Sequence, residues 1–151
     1  MTELERLVAI EAIKQLKARY CRCMDTKDWA GFEAVFAPDA VLDFRWASGQ
    51  EDETAIIRGA SGFAAFVRER FTAMTTIHHG YMPEIDLTSS TTARGIWAME
   101  DILFLPAEVA APVQIFHGYG HYHETYECID GGWRIKTIKL TRLHVDVSTM
   151  P

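Results

Sequence analysis

Thr75-Thr76-Ile77-His78-His79-Gly80-Tyr81 is where the chain changes its period. Before it, apolar residues recur every three or four positions; after it, they alternate. Upstream, Leu7, Ile10, Ile13, Leu16, Tyr20 and Met24 form one stripe of a long amphipathic helix, and Thr2-Glu3-Leu4-Glu5 reads as its capping box. Asp28 is placed to cap a second short helix, Trp29 to Phe36, which Pro38 stops. Ala40 to Trp46 reads as a strand and Ser48 to Glu53 as a polar loop. Ser61 is placed to cap a third helix through Phe63, Phe66, Val67, Arg70 and Met74. Downstream, Thr75 to Leu87, Ala93 to Leu105, Val113 to Ile129 and Trp133 to Val147 read as strands. Thr88 to Thr92 is a polar turn, Pro106 to Pro112 a connector, and Asp130-Gly131-Gly132 a hairpin turn.

Helices first and hairpin-linked strands afterwards predict an α+β fold: a curved antiparallel or mixed sheet with the N-terminal helices on one face. Strands of about 12–15 residues exceed the common length of ~5–6, so bends or bulges are expected. Such a sheet, closed at one end by helices, would form a cone around a deep apolar pocket.

Composition narrows the function classes. A length of 151 residues suits one domain spanning residues 1–151, and 48% hydrophobic with 24% charged residues argues against long disorder. A formal charge of −6 counts against nucleic acid or an anionic membrane as the main partner. No apolar run reaches the ~18–20 residues of a membrane span. Met1-Thr2-Glu3-Leu4-Glu5-Arg6 lacks the basic-then-apolar pattern of a signal peptide. Cys21, Cys23 and Cys128 are odd in number and have no framework spacing, which suits a reducing cytoplasm and packing roles. Phosphate loops, dinucleotide glycine fingerprints and nucleophile elbows are missing, leaving acid–base chemistry without a cofactor.

Polar residues in apolar company are the candidates for that chemistry, because burying them unpaired is costly. Strand alternation puts Asp101 on the side of Trp97, Met99 and Leu103, unless a bulge flips the register and leaves it wet. His78 and His79 are adjacent, so only one can face inward; a strand histidine can equally be structural or exposed. Tyr20 lies in the helical stripe, either as a core aromatic or with its hydroxyl in a site. Asp25 ends that helix, as a turn residue or a functional carboxylate. Arg142 follows Ile138 and Leu140 on one strand face, as a packed stem with a wet head group or as an oxyanion partner. A rival constellation is His121, His123 and Glu127, which share strand parity and could hold a divalent metal; exposed strand residues are the alternative.

The residues Ile10 to Tyr20, continued by Cys21-Arg22-Cys23-Met24-Asp25 with Lys27 and Trp29, resemble the opening of the bacterial bile acid 7α-dehydratases. Further agreement comes from His78-His79-Gly80 with Pro83-Glu84-Ile85, Gly95 with Trp97, Glu100 and Asp101, and Tyr126-Glu127 with Ile129-Asp130-Gly131 and Trp133. Asp25 to Trp29 also resembles scytalone dehydratase. The chain is thus similar to the SnoaL-like group of the nuclear transport factor 2-like superfamily, over roughly residues 5 to 145. The resemblance implies a cofactor-free lyase with Tyr20, Asp25, His78, Asp101 and Arg142 as its site. The pocket is expected to be lined by Trp97, Met99, Leu16, Met24 and Phe66, to take a small hydrophobic hydroxy-carbonyl substrate, steroid-like or aromatic, and to bind no metal. A homo-oligomer, dimer or trimer, is also implied. In the expected mechanism His78 is the base, oriented by Asp25. Tyr20 or Arg142 holds an enolate oxygen, and Asp101, buried and protonated, acts as the acid. An isomerase or dehydrohalogenase using the same pair, or a non-catalytic binding domain, are the alternatives.

Overall fold

A computed structural model describes residues 1–110, 112 and 114–149. Helix α1 spans Glu3–Asp25 and opens with the expected capping box: the Glu5 amide donates to Thr2 Oγ1 (3.2 Å) and the Thr2 amide to Glu5 Oε2 (2.6 Å). Its stripe is buried from Ile13 to Met24, whereas Leu7 is exposed. Helix α2, Trp29–Glu33, is capped by Asp28, whose Oδ1 accepts from the Gly31 amide at 2.9 Å.

That helix ends three residues before Phe36. Phe36 instead opens strand β1, Phe36–Asp43, and pairs with Ile135 of the last strand. Pro38 therefore lies inside a strand, in the irregular stretch between Phe36 and Val41 where ladder bonds lapse. Ladder pairing has overridden the helical reading of residues 34 to 36, and β1 sits upstream of the expected Ala40–Trp46. A short strand β2, Ile56–Arg58, unanticipated in the sequence, covers the other edge of β1. Helix α3 spans Ala60–Phe71; Gly59, at φ 86°, takes the cap position without a side-chain bond, so Ser61 is not the cap and Met74 lies beyond the helix.

Strands β3 (Thr75–Leu87), β4 (Thr92–Leu105), β5 (Gln114–Ile129) and β6 (Gly132–Thr149) follow as the alternation predicts. Val113, the expected first residue of β5, and Ala111 in the connector before it lie outside the described residues. The Asp130-Gly131 turn has both residues at positive φ, 50° and 78°, the geometry that matches hairpin twist. The six strands form one sheet in the order β2-β1-β6-β5-β4-β3. It is mixed: β1 runs parallel to β6 and the other pairs are antiparallel.

The long strands curve through the expected bulges. Register shifts occur between Tyr81 and Glu84 in β3, and between Tyr119 and Gly120 and between Thr125 and Tyr126 in β5 against β6. The shift at Gly120 skips Leu143 of β6, so that inward-facing positions pass from Arg142 to Val145. A Cβ on Gly120 would lie 1.9 Å from the Thr141 carbonyl oxygen, a backbone atom that cannot swing aside. Gly120→Ala is therefore expected to lose at least ~1–3 kcal/mol as the bulge opens, seen as a lower thermal midpoint and a shifted Arg142.

The helices pack on the concave face of the sheet. Between them lies an aromatic core in which Phe32 and Phe36 (ring centroids 5.1 Å), Phe36 and Phe63 (5.3 Å), and Tyr20 and Phe32 (5.3 Å) meet edge-on or tilted.

Candidate active site

A cavity of about 290 Å³ lies between the concave sheet face, the end of α1, α3 and the loop of residues 44 to 55. Tyr20, Asp101, His78 and Arg142 all line it, as do Met24 and Phe66. Leu16, Trp97 and Met99, expected beside them, are not among the lining residues: all three are buried in the core beneath. Alternation alone does not resolve which inward positions reach the cavity and which stay in the core.

At one side stands the Asp25–His78 pair. Asp25 is at the last turn of α1 and His78 is the fourth residue of β3. Asp25 Oδ1 lies 2.7 Å from His78 Nδ1, and Oδ2 accepts from the His78 backbone amide at 2.8 Å. Thr76 Oγ1 donates to Asp25 Oδ1 at 3.0 Å and accepts from Lys27 Nζ at 2.8 Å. Bonds to both the main chain and the ring of one residue fix the carboxylate and the imidazole relative to each other. With Nδ1 donating to the carboxylate, Nε2 is left as the basic nitrogen, and it makes no hydrogen bond among the described residues. Burial lowers Lys27 from the usual lysine range, an effect that the nearby Asp25 charge opposes.

Directly across the ladder from His78 is Asp101 of β4. It does face inward, as strand alternation implies, and is 6% exposed. Its partner is Arg142: Nη1 donates to Oδ1 at 2.6 Å and Nη2 to Oδ2 at 2.9 Å. Arg142 Nε also donates to the Ala47 carbonyl at 2.8 Å, and Nη1 approaches Met99 Sδ at 3.5 Å. Both Asp101 oxygens thus serve as acceptors in a bidentate pair. Asp101 thus meets the cavity as one half of an ion pair with Arg142.

Gly118 makes this pair possible. It faces Asp101 across β4 and β5, and a Cβ there would lie 2.3 Å from Arg142 Nη1 and 2.5 Å from Asp101 Oδ1. Sequence reasoning passed over Gly118; an isolated glycine inside a strand was the available signal for such close approach.

Tyr20, also in the cavity lining, is fully buried, its hydroxyl the one buried side-chain polar atom without a hydrogen-bond partner among the described residues. Burial pushes its phenol well above the usual range. Beneath Tyr20 is a group that sequence reading missed. Lys17 Nζ pairs with Glu124 Oε1 at 2.5 Å, with both side chains essentially inaccessible. The same ammonium lies over the Tyr20 ring (3.9 Å) and the Tyr122 ring (3.6 Å). Tyr126 donates to Glu124 and accepts from Trp97 Nε1 at 2.7 Å.

The His121–His123–Glu127 constellation does not assemble. His123 Nε2 is within 3.1 Å of Thr141 Oγ1, while Glu127 pairs with Lys136. Among the described residues no group of three metal-ligating side chains forms. A separate titratable cluster, away from the cavity lining, joins Glu100 to Tyr81, His117 and His79, whose hydrogen bonds lower Glu100 to about 2. No helix among the described residues is long and apolar enough to cross a membrane.

The chain is similar to several known proteins. The chain is 27% identical to the probable cyclase FGR4 of Gibberella zeae over 90% of its own length and 92% of that protein's. In structure it is similar to hexachlorocyclohexane dehydrochlorinase LinA type 2 (TM-score 0.82, 18% identity, 98% of this chain and 94% of the other). It is equally similar to a scytalone dehydratase-like protein of Novosphingobium aromaticivorans (TM-score 0.82, 20% identity, 99% and 94%). At these identities the two structures establish the fold. The family profile of the SnoaL-like domain matches residues 5–139, and the chain belongs to that family, within the nuclear transport factor 2-like superfamily.

Proposed function

We propose that this protein is a small-molecule-converting enzyme, and specifically a lyase that removes water from a hydroxy-carbonyl compound with Asp25 and His78 as its acid–base pair. The observation that carries the reading is the 2.7 Å Asp25–His78 contact at the wall of an apolar cavity, with the second imidazole nitrogen unengaged. His78 Nε2 takes a proton from the carbon next to the carbonyl, and Asp25 stabilises the imidazolium through Nδ1–H. The electron pair moves onto the carbonyl oxygen, which accepts from the otherwise unpartnered Tyr20 hydroxyl or from Arg142. The enolate then expels the hydroxyl on the next carbon. Because Asp101 is committed to Arg142, the proton that completes the departing water comes from the imidazolium itself, which restores neutral His78.

An orphaned buried hydroxyl costs ~1–3 kcal/mol, a penalty that a bound oxygen acceptor would offset. At about 290 Å³ the cavity is near the lower end of ligand sites, ~300–1,000 Å³, which favours a substrate of one or two rings over a tetracyclic steroid. The relatives' names, dehydrochlorinase and dehydratase, each describe loss of a proton together with a leaving group. Isomerisation uses the same first step.

The test separates that step from the leaving group. One- and two-ring β-hydroxy ketones are incubated with the protein in D2O. Growth of the conjugated enone absorbance is the expected result, with deuterium at the carbon next to the carbonyl in recovered ketone where the enolate is re-protonated before it expels hydroxide. Deuterium without enone identifies an isomerase-type activity. Neither signal across a panel of compounds that bind rejects the enzymatic reading.

A further inference from the structure

The cavity's rim holds a cation that the fold leaves unneutralised, and we propose that it selects a ligand carrying an anionic group. The inference rests on the cavity being a small-molecule site, not on what His78 does there.

Three guanidinium groups line the cavity: Arg45, Arg70 and Arg142. Two are held by carboxylates. Arg142 has its bidentate bond to Asp101. Arg45 has a bidentate bond to Asp43, at 3.0 and 2.9 Å, with Glu53 3.6 Å away. Arg70 forms no ion pair and no hydrogen bond among the described residues. Its guanidinium carbon instead lies 3.5 Å over the ring of Phe66, one helical turn earlier on α3.

Stacking of this kind orients a guanidinium while leaving its in-plane N–H donors free for a planar anion. Asp52, an acid that also lines the cavity, forms no salt bridge with Arg70 among the described residues; its Oδ1 accepts from the Thr54 amide (2.9 Å) and hydroxyl (2.6 Å). Those bonds are the main cause of its lowered pKa, with the charge of Arg70 contributing least. Arg70 therefore feels Asp52 through space without being saturated by it.

A cation in the last turn of a helix also complements the helix dipole. Arg68 meets that description equally, yet it does not line the cavity. What distinguishes Arg70 is its position: exposed at the mouth, on an aromatic face continuous with the apolar interior, while His78 is buried. The ligand that fits is a compact aromatic or alicyclic body with a carboxylate or similar monoanion at one end. The body enters the cavity and the anion stays at the rim, where its desolvation is partial.

The test uses two fluorescent probes that share one aromatic body, the anionic anilinonaphthalenesulfonate and the neutral phenylnaphthylamine. The wild-type protein is expected to bind the sulfonate more tightly. Arg70→Gln should weaken the sulfonate about tenfold, the effect of ~1.4 kcal/mol, and leave the neutral dye within about twofold. Arg70→Lys should retain part of the preference, and Arg68→Gln should leave it intact. Equal losses for both dyes, no preference for the sulfonate in the wild type, or a matching loss in Arg68→Gln would each overturn the proposal. Dye binding does not depend on proton transfer, so these outcomes are distinguishable from a failure of the lyase reading, which would leave the dye preference in place.

Discussion

Replacing His78 with alanine should lower the rates of deuteration and elimination at least ~100-fold, while the protein stays folded. The size follows from losing the base itself: among the described residues no other imidazole lines the cavity, and a water in the vacated space is a far weaker base. Binding of a ketone should change little, so the loss belongs in kcat and not in KM. Asp25→Asn retains an acceptor of the same shape but removes the charge that faces the imidazolium. Its expected loss is about tenfold or more, with the ring orientation partly kept by the amide. Rates within about twofold of wild type in His78→Ala would eliminate His78 as the base.

The second large effect concerns stability. Lys17→Met leaves Glu124 inside the protein without its counter-charge, and breaking a buried pair from one side costs ~3–5 kcal/mol. For a chain of this size each kcal/mol shifts the midpoint by ~2–4 °C, so a fall of about 10 °C is expected. Tyr20 and Tyr122 also lose the ammonium that lies against their rings, and since both line the cavity, substrate affinity should fall with stability. The double variant Lys17→Met/Glu124→Gln removes both charges and should recover part of the lost stability. A double variant no more stable than the single one would mean that the ion pair is not what holds this layer together.

Lys17 also shows where reading the sequence stops. In α1 it stands next to Leu16, one position off the apolar stripe, where a lysine ordinarily faces water. It is buried only because Glu124, more than a hundred residues later, arrives at the same place on β5. The orphaned Tyr20 hydroxyl belongs to the same category. Its meaning lies in what surrounds it, and nothing local announces it.

By contrast, Asp101 was legible in position and not in partner. Alternation along β4 placed it inward beside Trp97 and Met99, and it is there. Strand parity says which side a carboxylate faces but not who meets it, so the bidentate pairing with Arg142 could not be read from the sequence. The meeting with Arg142 depends on the register of β6 against β5, shifted at Gly120, and on the gap left by Gly118.

Local chemistry in the sequence determined the α+β order, the Thr2 capping box, the Asp130-Gly131 hairpin and the long strands, because periodicity and turn residues act over a few positions. The boundary near Phe36, the strand β2, the Lys17–Glu124 pair and the commitment of Asp101 to Arg142 were decided by the tertiary structure alone. Each of these is a contact between distant segments. A buried charge or a ladder bond is favourable only once its partner is delivered, and that delivery depends on sheet register, which no single segment encodes.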